Sequence, residues 1–542
     1  MPLSLQALRQ TTAELLACAV CDLFPDTLLV QSSVSDVGFS YDFIFKHPFD
    51  SQSFSLIEER MHALISKKMP IKTLDMMRQN AIAFLTHHNQ PLKAESLLQY
   101  SENIVQVFQM EHFADLVTHS VAKNSSEVKT FKLLEFETST EHFKKIGKSC
   151  VTRIYGTAFP DPMALKKFLK RNEAAKKKDH RTLGQEMNLF HFFNKETFLL
   201  APNGVVLQEL LLRQFPFFLP TKKISLQLKC EPKGPAALMA QYLCSNPAAF
   251  SENYEVFCSH SQPIQGKPEG VLDAEWANLS LIYTLCERGK AEFFINSSLQ
   301  FINKIIKIFG FDHQWAIVTQ HPLPSVGKKR WEKATELLAD ALKKNGFSYV
   351  LDKQGSALSG PKIELRLSDA VGRFWSGPFI GIAIAHTESS TLCSQGSDDQ
   401  KNNAVLVFQS VLGPLERLVA LLVEHFGGEF PFWLAPEQVR ILPIGDGQRE
   451  YAENVLKEIR EHGFRVSCDY REISLGEKVH AAEIEKIPHI VIIGEVEKKS
   501  HLISIRKQDK KAENKRIALD LFLKQLREEN KNSLENVNRI SD

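Results

Sequence analysis

The chain has 542 residues, several times what one hydrophobic core organises, so about two to four domains are expected and a single small module is excluded. Its composition, 43% hydrophobic and 24% charged, is that of an ordinary globular protein and argues against wholesale disorder or a fibrous repeat. A formal net charge of +2 does not advertise a nucleic-acid or membrane partner, so any basic surface must be local.

At the N-terminus, Leu5, Leu8, Ala13, Leu16 and Val20 recur at near-helical spacing around Cys18 and Cys21. No second CxxC completes a tetrahedral metal site, and buried reduced thiols are the favoured reading. Nine cysteines, an odd number, and an N-terminus without a secretory pattern point to the cytoplasm. Strand patterns at 28–31 and 39–45 alternate with helical ones at 55–67 and 74–87, an α+β arrangement.

Residues 164–192 read as one long charged helix with Lys166, Lys167, Lys170, Arg171, Lys176, Lys177, Lys178 and Arg181. A solvated linker and a local nucleic-acid contact are both open; Glu173 and Asp179 interrupt the run and favour the linker. The greasiest stretch, 415–426, is broken by Glu416, Arg417 and Glu424, so it falls short of the roughly 18 uninterrupted apolar residues a membrane helix needs. Residues 431–436, PFWLAP, predict an extended connector and a domain boundary, because each proline disfavours helix in the residue before it. Beyond it, strand patterns at 440–444, 464–470, 490–493 and 502–506 alternate with helical ones, the first carrying Tyr451, Val455 and Ile459 on one face and ending at Gly463, the others at 475–486 and 517–527. This predicts an α/β module on a mostly parallel sheet, with a polar tail from Glu528 that should fray. Neither internal repeats nor low-complexity tracts occur.

Six segments in one order resemble bacterial threonyl-tRNA synthetase: SDVGFSYDF at 35–43, RIYGTAFPD at 153–161, KKDHR at 177–181 leading to LFH at 189–191, GPKI at 360–363, LGPLER at 412–417, and PFWLAP at 431–436. The resemblance implies an editing-type α+β domain (1–165), a linker helix (166–193), a shortened class II synthetase catalytic domain on an antiparallel sheet (194–432) and an α/β anticodon-binding domain (433–542). It begins at the editing-type domain, without the family's small N-terminal domain. Much of what the family carries between the positions of His191 and Cys230 is also missing, including most of motif 1 and of the usual dimer contacts.

The family's chemistry is mapped by the same resemblance. Its editing histidine pair falls on Gln10 and Glu14, and its later cysteine and histidine fall on Val117 and Val121, with His119 nearby but out of register. Valine can neither ligate nor transfer a proton. The zinc ligands, one cysteine and two histidines, fall on Pro232 (Cys230 two residues away), Tyr283 and Phe408, so no zinc is expected. Where motif 2 supplies an arginine and a glutamate stand His260 and Gln262, and its further basic positions fall on Asp273 and Glu275; carboxylates repel a triphosphate. The family's QCGTIQLD strand, which helps bind substrate, reads SGPFIGIA at 376–383, without the glutamines and the aspartate. Arg417 of motif 3 is the nucleotide-type arginine that persists, although a salt bridge to Glu416 or another carboxylate would explain it as well.

In the anticodon-type module, Glu497 and Arg506 match family residues that touch anticodon bases, and the loop around Arg471 and Lys478 resembles the family's, with His480 where an arginine is usual. Carboxylate and guanidinium groups can read base edges while lysines hold phosphates; ordinary surface charge is an equal reading of Glu497 and Arg506. Lys507, Lys510, Lys511, Lys515 and Arg516 add a basic tail. The implied function is a tRNA-binding homologue with degraded zinc, editing and ATP/threonine sites. It needs no cofactor of its own, although the family uses zinc and Mg-ATP. Neither a membrane nor DNA is expected as partner, and a homodimer stays open. The alternatives are a divergent but active threonine–tRNA ligase and a protein-interaction scaffold without RNA binding.

Overall fold

The computed structural model describes residues 3–99, 103–143, 146–193, 197–214, 221–224, 253–261, 270–273, 276–320, 328–356, 359–384, 404–507 and 515–538. The chain divides into two compact units, Met1–Ala174 with Val371–Arg373, and Ala175–Ala370 with Phe374–Asp542. Among the described residues no helix is long and apolar enough to cross a membrane.

In the first unit the helix Leu5–Leu23 starts at Ser4, whose hydroxyl accepts from the Ala7 amide (3.1 Å), and it is buried continuously from Ala7 to Val20. Burial on all sides follows from its place between an antiparallel sheet, in the order Leu28–Val34, Phe39–Ile44, Gly147–Phe159, Thr130–Phe143, and the helix Ser53–Ser66. Cys18 and Cys21 are free thiols on that helix, and burial pushes both up to about 12. The helical reading of 74–87 is half corrected. Lys72–Met77 is a strand of a second sheet, pairing with Ile104–Met110, and Leu74 and Met76 turn to one side of it; the helix begins at Arg78. The long linker helix is likewise two helices, Pro162–Lys176 and His180–Glu186, the second capped by Asp179, whose carboxylate accepts from the Arg181 amide (2.8 Å).

The second unit is built on an eight-stranded sheet in the order Thr221–Ile224, Asn253–Ser261, Trp276–Glu287, Ala404–Ser410, Phe374–Ala383, Lys362–Ser368, His313–Gln320, Tyr349–Ser356. Its centre is antiparallel and its two outermost pairs are parallel. On one face Ile363, Leu365, Leu367, Ile380, Ile382 and Val407 join the core with the helices Arg288–Phe309 and Leu415–Phe426. By the two-residue period of a strand, the opposite face carries Lys362, Glu364 and Arg366.

The PFWLAP segment is a turn, which corrects the extended connector: the Leu434 and Ala435 amides donate back to the Pro431 carbonyl at 2.8 and 3.1 Å. Burial outweighs the local proline preference here, because Phe432 enters the core of the C-terminal module while Trp433 and Leu434 enter that of the large sheet. Arg465 closes the turn, donating to the carbonyls of Ala435 (2.9 Å) and Trp433 (2.8 Å).

The module itself is a five-stranded sheet in the order Val466–Cys468, Val439–Pro443, His489–Ile493, Leu502–Lys507, Lys515–Ala518, with the first three strands parallel and the last two antiparallel. The tail does not fray at Glu528. The last helix, Leu519–Asn538, buries Phe522, Leu523 and Leu526 in the module and sets Leu534 against the core of the large sheet.

Candidate functional site

Three places gather the residues singled out by the sequence. The first is the open face of the large sheet. Tyr283 and Phe408 are direct partners across neighbouring antiparallel strands, and the row continues through Gly381 to Lys362. Direct partners point their side chains to the same face. Both rings are buried, and Phe408 also packs edge-on against Phe379, centroids 6.2 Å apart. The two described positions at which the resemblance implies zinc-ligating histidines thus come together, but a phenylalanine ring carries no donor atom, so the residues present do not fit the ion. Pro232, Cys230, Gln262 and Glu275 lie outside the described residues, and His260 is described only as a strand residue opposite Ala277.

Next to this row lies a charge cluster that sequence reasoning missed. Glu364, 2% exposed, accepts from Lys362 (2.7 Å), from Arg366 (3.1 Å) and from the Ser376 hydroxyl (2.8 Å), and Arg366 also pairs with Asp352. Burial alone would raise the Glu364 carboxyl, but the two cations and the hydroxyl hold it down at about 2. Arg417 is buried beside the cluster. It donates to the carbonyls of Leu272 (2.7 Å) and Ser376 (3.3 Å), and its guanidinium stands 5.7 Å from the centre of the Trp375 ring. Burial lowers its pKa, which Asp273 and Glu364 oppose. Glu416 is not its partner: that carboxylate accepts from the Asn278 amide (2.8 Å) and from Gln208 (3.3 Å).

One trio among the described residues has metal-like composition, Asp179, His180 and Glu424. His180 Nδ1 lies 2.7 Å from Glu424, and its Nε2 accepts from the Val271 amide at 3.2 Å. Both ring nitrogens are committed, so the trio ties the helix His180–Glu186 to Leu415–Phe426 and offers no free imidazole lone pair.

The second place is inside the first unit. Gln10 donates to Glu14 (2.8 Å) and to the Ser32 hydroxyl (3.1 Å), so the two residues at the editing-histidine positions are engaged with each other. Glu14 lies against Asp115, which pairs with Lys93 and accepts from Tyr41, and all four side chains are buried. Val117 is buried, Val121 packs on the adjoining core, and His119 is half-buried beside Thr118, whose hydroxyl lies 3.0 Å from its Nδ1.

The third place is a crevice of about 510 Å³ at the carboxyl ends of the parallel strands Val439–Pro443 and Val466–Cys468, lined among others by Ile444, Arg449, Tyr470, Arg471, Ile473 and Lys478. Crevices at this end of a parallel sheet are where such folds take ligands. The Arg449 guanidinium sits over the Tyr470 ring at 4.7 Å, and Ile444, Tyr470 and Ile473 are exposed. Arg471 is exposed and held by Asp469 through two bonds of 2.9 and 2.6 Å. Lys478 is placed differently from a phosphate ligand: it is 4% exposed, and its ammonium donates to the carbonyls of Pro443 (3.0 Å) and Asp469 (3.1 Å). Glu497 is buried as the cap of the short helix Glu495–Ser500, accepting from the Gly494 amide (3.0 Å), Ser504 (2.8 Å) and Arg516 (2.9 Å). Arg506 is half-exposed and pairs with Glu483. Lys510 and Lys511 lie outside the described residues. Arg449 is not singled out by the sequence, and Tyr470, the last residue of the predicted strand 464–470, reads there only as part of a strand and loop; an aromatic followed directly by Arg471 is the available signal.

The anticodon binding domain family matches residues 438–529, the module with this crevice. Along nearly its whole length the chain is similar to threonine–tRNA ligases. It is 29% identical over 535 residues to that of Nitratidesulfovibrio vulgaris strain DP4 (91% of this chain, 82% of the relative), and 30% identical over 528 residues to that of Acetivibrio thermocellus (90% and 83%). The match to the Geobacter sp. strain M21 enzyme is 30% over 536 residues (91% and 84%). Among solved structures, the RNA binding domain of threonyl-tRNA synthetase from Cryptosporidium parvum Iowa II superposes with a TM-score of 0.57 at 21% identity, over 65% of this chain and 98% of that one. A putative threonyl-tRNA synthetase from Aeropyrum pernix gives 0.51 at 14%, over 67% and 97%. These two support the fold.

Proposed function

The chain belongs to the threonine–tRNA ligase family, and we propose that it is a member that binds tRNA but has lost amino-acid activation and editing. The observation that carries the loss is the Tyr283–Phe408 pair. Two positions that the family resemblance assigns to zinc ligands meet on one face of the sheet, as a shared site requires, yet they carry two buried aromatic rings, one a phenylalanine without any donor atom, and no imidazole. In the first unit, the editing positions are filled by an amide and a carboxyl that bond each other and by two valines packed as core. Neither arrangement holds a metal or positions a water for attack.

Support for tRNA binding comes from the crevice. Exposed Tyr470 under the Arg449 guanidinium gives a flat surface on which an unpaired base can stack, with Arg471 beside it for phosphate or base edges. An active ligase is the second reading, favoured by the buried Arg417 and by Lys362 on the same sheet face. Glu364 offsets it, since its carboxylate together with that of Asp352 already balances Lys362 and Arg366.

The test is a pair of measurements on the full chain. ATP–pyrophosphate exchange with threonine should stay at background, and tRNA should bind with an affinity that falls steeply with salt. Robust threonine-dependent exchange would overturn the loss of activation, and undetectable tRNA binding at low salt would favour a protein scaffold.

A further inference from the structure

The basic run noted in the sequence resolves into a one-sided helix face. In Pro162–Lys176, Phe168 and Ala175 are buried and Ala164, Leu165, Leu169 and Asn172 half-buried, whereas Lys166, Lys167, Lys170 and Arg171 are exposed. Spacings of one, four and five residues put these four cations on one stripe. The helix carries five cations against one carboxylate, Glu173, in a chain whose total is only +2. Among the described residues the side chains of Lys166, Lys167 and Lys170 have no ion-pair or hydrogen-bond partner, whereas Arg440 is paired with Glu437 and Glu485, and Lys507 with Glu529. Asp161, the nearest acid on the N-terminal side, is used as the helix cap, accepting from the Ala164 amide at 2.9 Å. Three unneutralised ammonium groups on adjoining turns repel one another, a cost that an external polyanion removes.

We propose that this stripe is a second RNA-contact surface, gripping the phosphate backbone of a double-stranded stem rather than reading bases. Lysine is a point charge suited to phosphate, and the stripe carries no aromatic side chain on which an unpaired base could stack. The proposal rests on the reading of the chain as a tRNA binder, and it assigns the stem to this face and the unpaired bases to the Tyr470 crevice. The solvated linker helix that the sequence favoured is thereby given a partner.

The experiment uses the full chain with two probes, a short blunt RNA duplex and an intact tRNA, titrated over a range of salt. Lys166→Gln/Lys167→Gln/Lys170→Gln should weaken duplex binding roughly tenfold or more and cut the slope of log affinity against log salt by about 2 to 3, close to one per lost cation. Tyr470→Ala should leave duplex binding unchanged while weakening intact tRNA. Glutamine keeps helix propensity, and an unchanged circular dichroism spectrum shows that the triple variant folds. Duplex binding that is absent in the unmodified chain, or equal in the triple variant, overturns the stem surface. Loss of tRNA binding in the triple variant with no effect of Tyr470→Ala would instead sink the crevice and keep the stripe. Transfer of the lysine dependence to anionic vesicles, with duplex binding unaltered, would reassign the stripe to a membrane surface and likewise overturn it.

Discussion

Phe408 lays its ring over Gly381 on the neighbouring strand, so closely that a Cβ on the glycine would stand 2.4 Å from the ring's Cζ. The sheet face that carries Tyr283 and Phe408 is therefore packed at this point, with the aromatic ring filling the space above the glycine. Gly381→Ala should lower stability by about 1–3 kcal/mol through overpacking, and Phe408→Ala by about 3–5 kcal/mol through the cavity it leaves. The double variant should cost less than the two combined, because removing the ring relieves much of the clash; the Pro361 carbonyl, 2.9 Å from the same Cβ, keeps the relief incomplete. Denaturant midpoints of the three variants decide this, and strict additivity would mean that the ring and the glycine are not in contact.

Glu364 gives the same face a dependence on acid. Its carboxyl is held at about 2 in the fold, although burial pulls the other way, because Lys362 and Arg366 flank it; in an unfolded chain it titrates near 4.3. The folded state thus binds the proton less readily. The stabilisation is complete above the unfolded value and is lost as pH falls from about 4.3 through 2. Glu364→Gln should destabilise by about 3–5 kcal/mol at pH 7, since two partly buried cations lose their common partner, and the variant should lose less stability than the parent between pH 4.5 and 2. Parallel acid curves for the two proteins would show that Glu364 does not govern this range.

The C-terminal module was the most legible part of the chain, because Gly463, Pro488 and the short β-branched runs punctuate it at the period of a parallel α/β fold. Where local rules failed, burial had overruled them. The prolines around Phe432 predicted an extended segment, but Phe432 and Trp433 fill two different cores and fold the segment into a turn. Leu74 and Met76 fit a helical stripe as well as a strand, and pairing with Ile104–Met110 decides for the strand. Convergence of Tyr283 with Phe408 was legible through family resemblance alone, since nothing local links residues 125 positions apart. Charge proved the poorest guide to role: Lys478 and Glu497 look like surface ligands in the sequence and are buried ties in the fold.

Lys478 and Tyr470 should therefore separate by assay although both line one crevice. Lys478 joins the ends of two strands through two backbone carbonyls, so Lys478→Met removes charge-assisted bonds and should lower the thermal stability of the module. The salt slope of tRNA binding, measured well below the melting temperature, should stay the same. Tyr470→Ala should leave melting nearly unchanged and weaken tRNA binding by about 1–3 kcal/mol, the worth of one stacked base. A fall of about one in the salt slope of Lys478→Met would place its ammonium on a phosphate after all.

Glu14 turns the first unit's stability in the opposite direction with pH. Burial, and next the Asp115 carboxylate, push its carboxyl well above the ordinary value, while Lys93 and Gln10 pull it down; Tyr41 and the Cys21 thiol are the further titratable groups of the cluster. Protonated, Glu14 leaves Asp115 and Lys93 as a balanced pair, and its own proton can bridge to Asp115; ionised, it leaves the sealed cluster with an uncompensated negative charge. Because the folded state holds this proton more tightly than the unfolded chain, the contribution to stability declines as pH rises past about 4.3 toward the raised folded value. Glu14→Gln keeps the shape and the hydrogen bonding but cannot ionise, so it should flatten that decline, whereas Asp115→Asn strands the Lys93 ammonium and should cost about 3–5 kcal/mol at pH 7. All five tryptophans lie beyond residue 275, so fluorescence follows the second unit. Hydrogen exchange along Leu5–Leu23 is the readout that isolates the first. If its protection falls with rising pH equally in Glu14→Gln and in the parent, after allowance for the intrinsic exchange rate, the proton is not on Glu14.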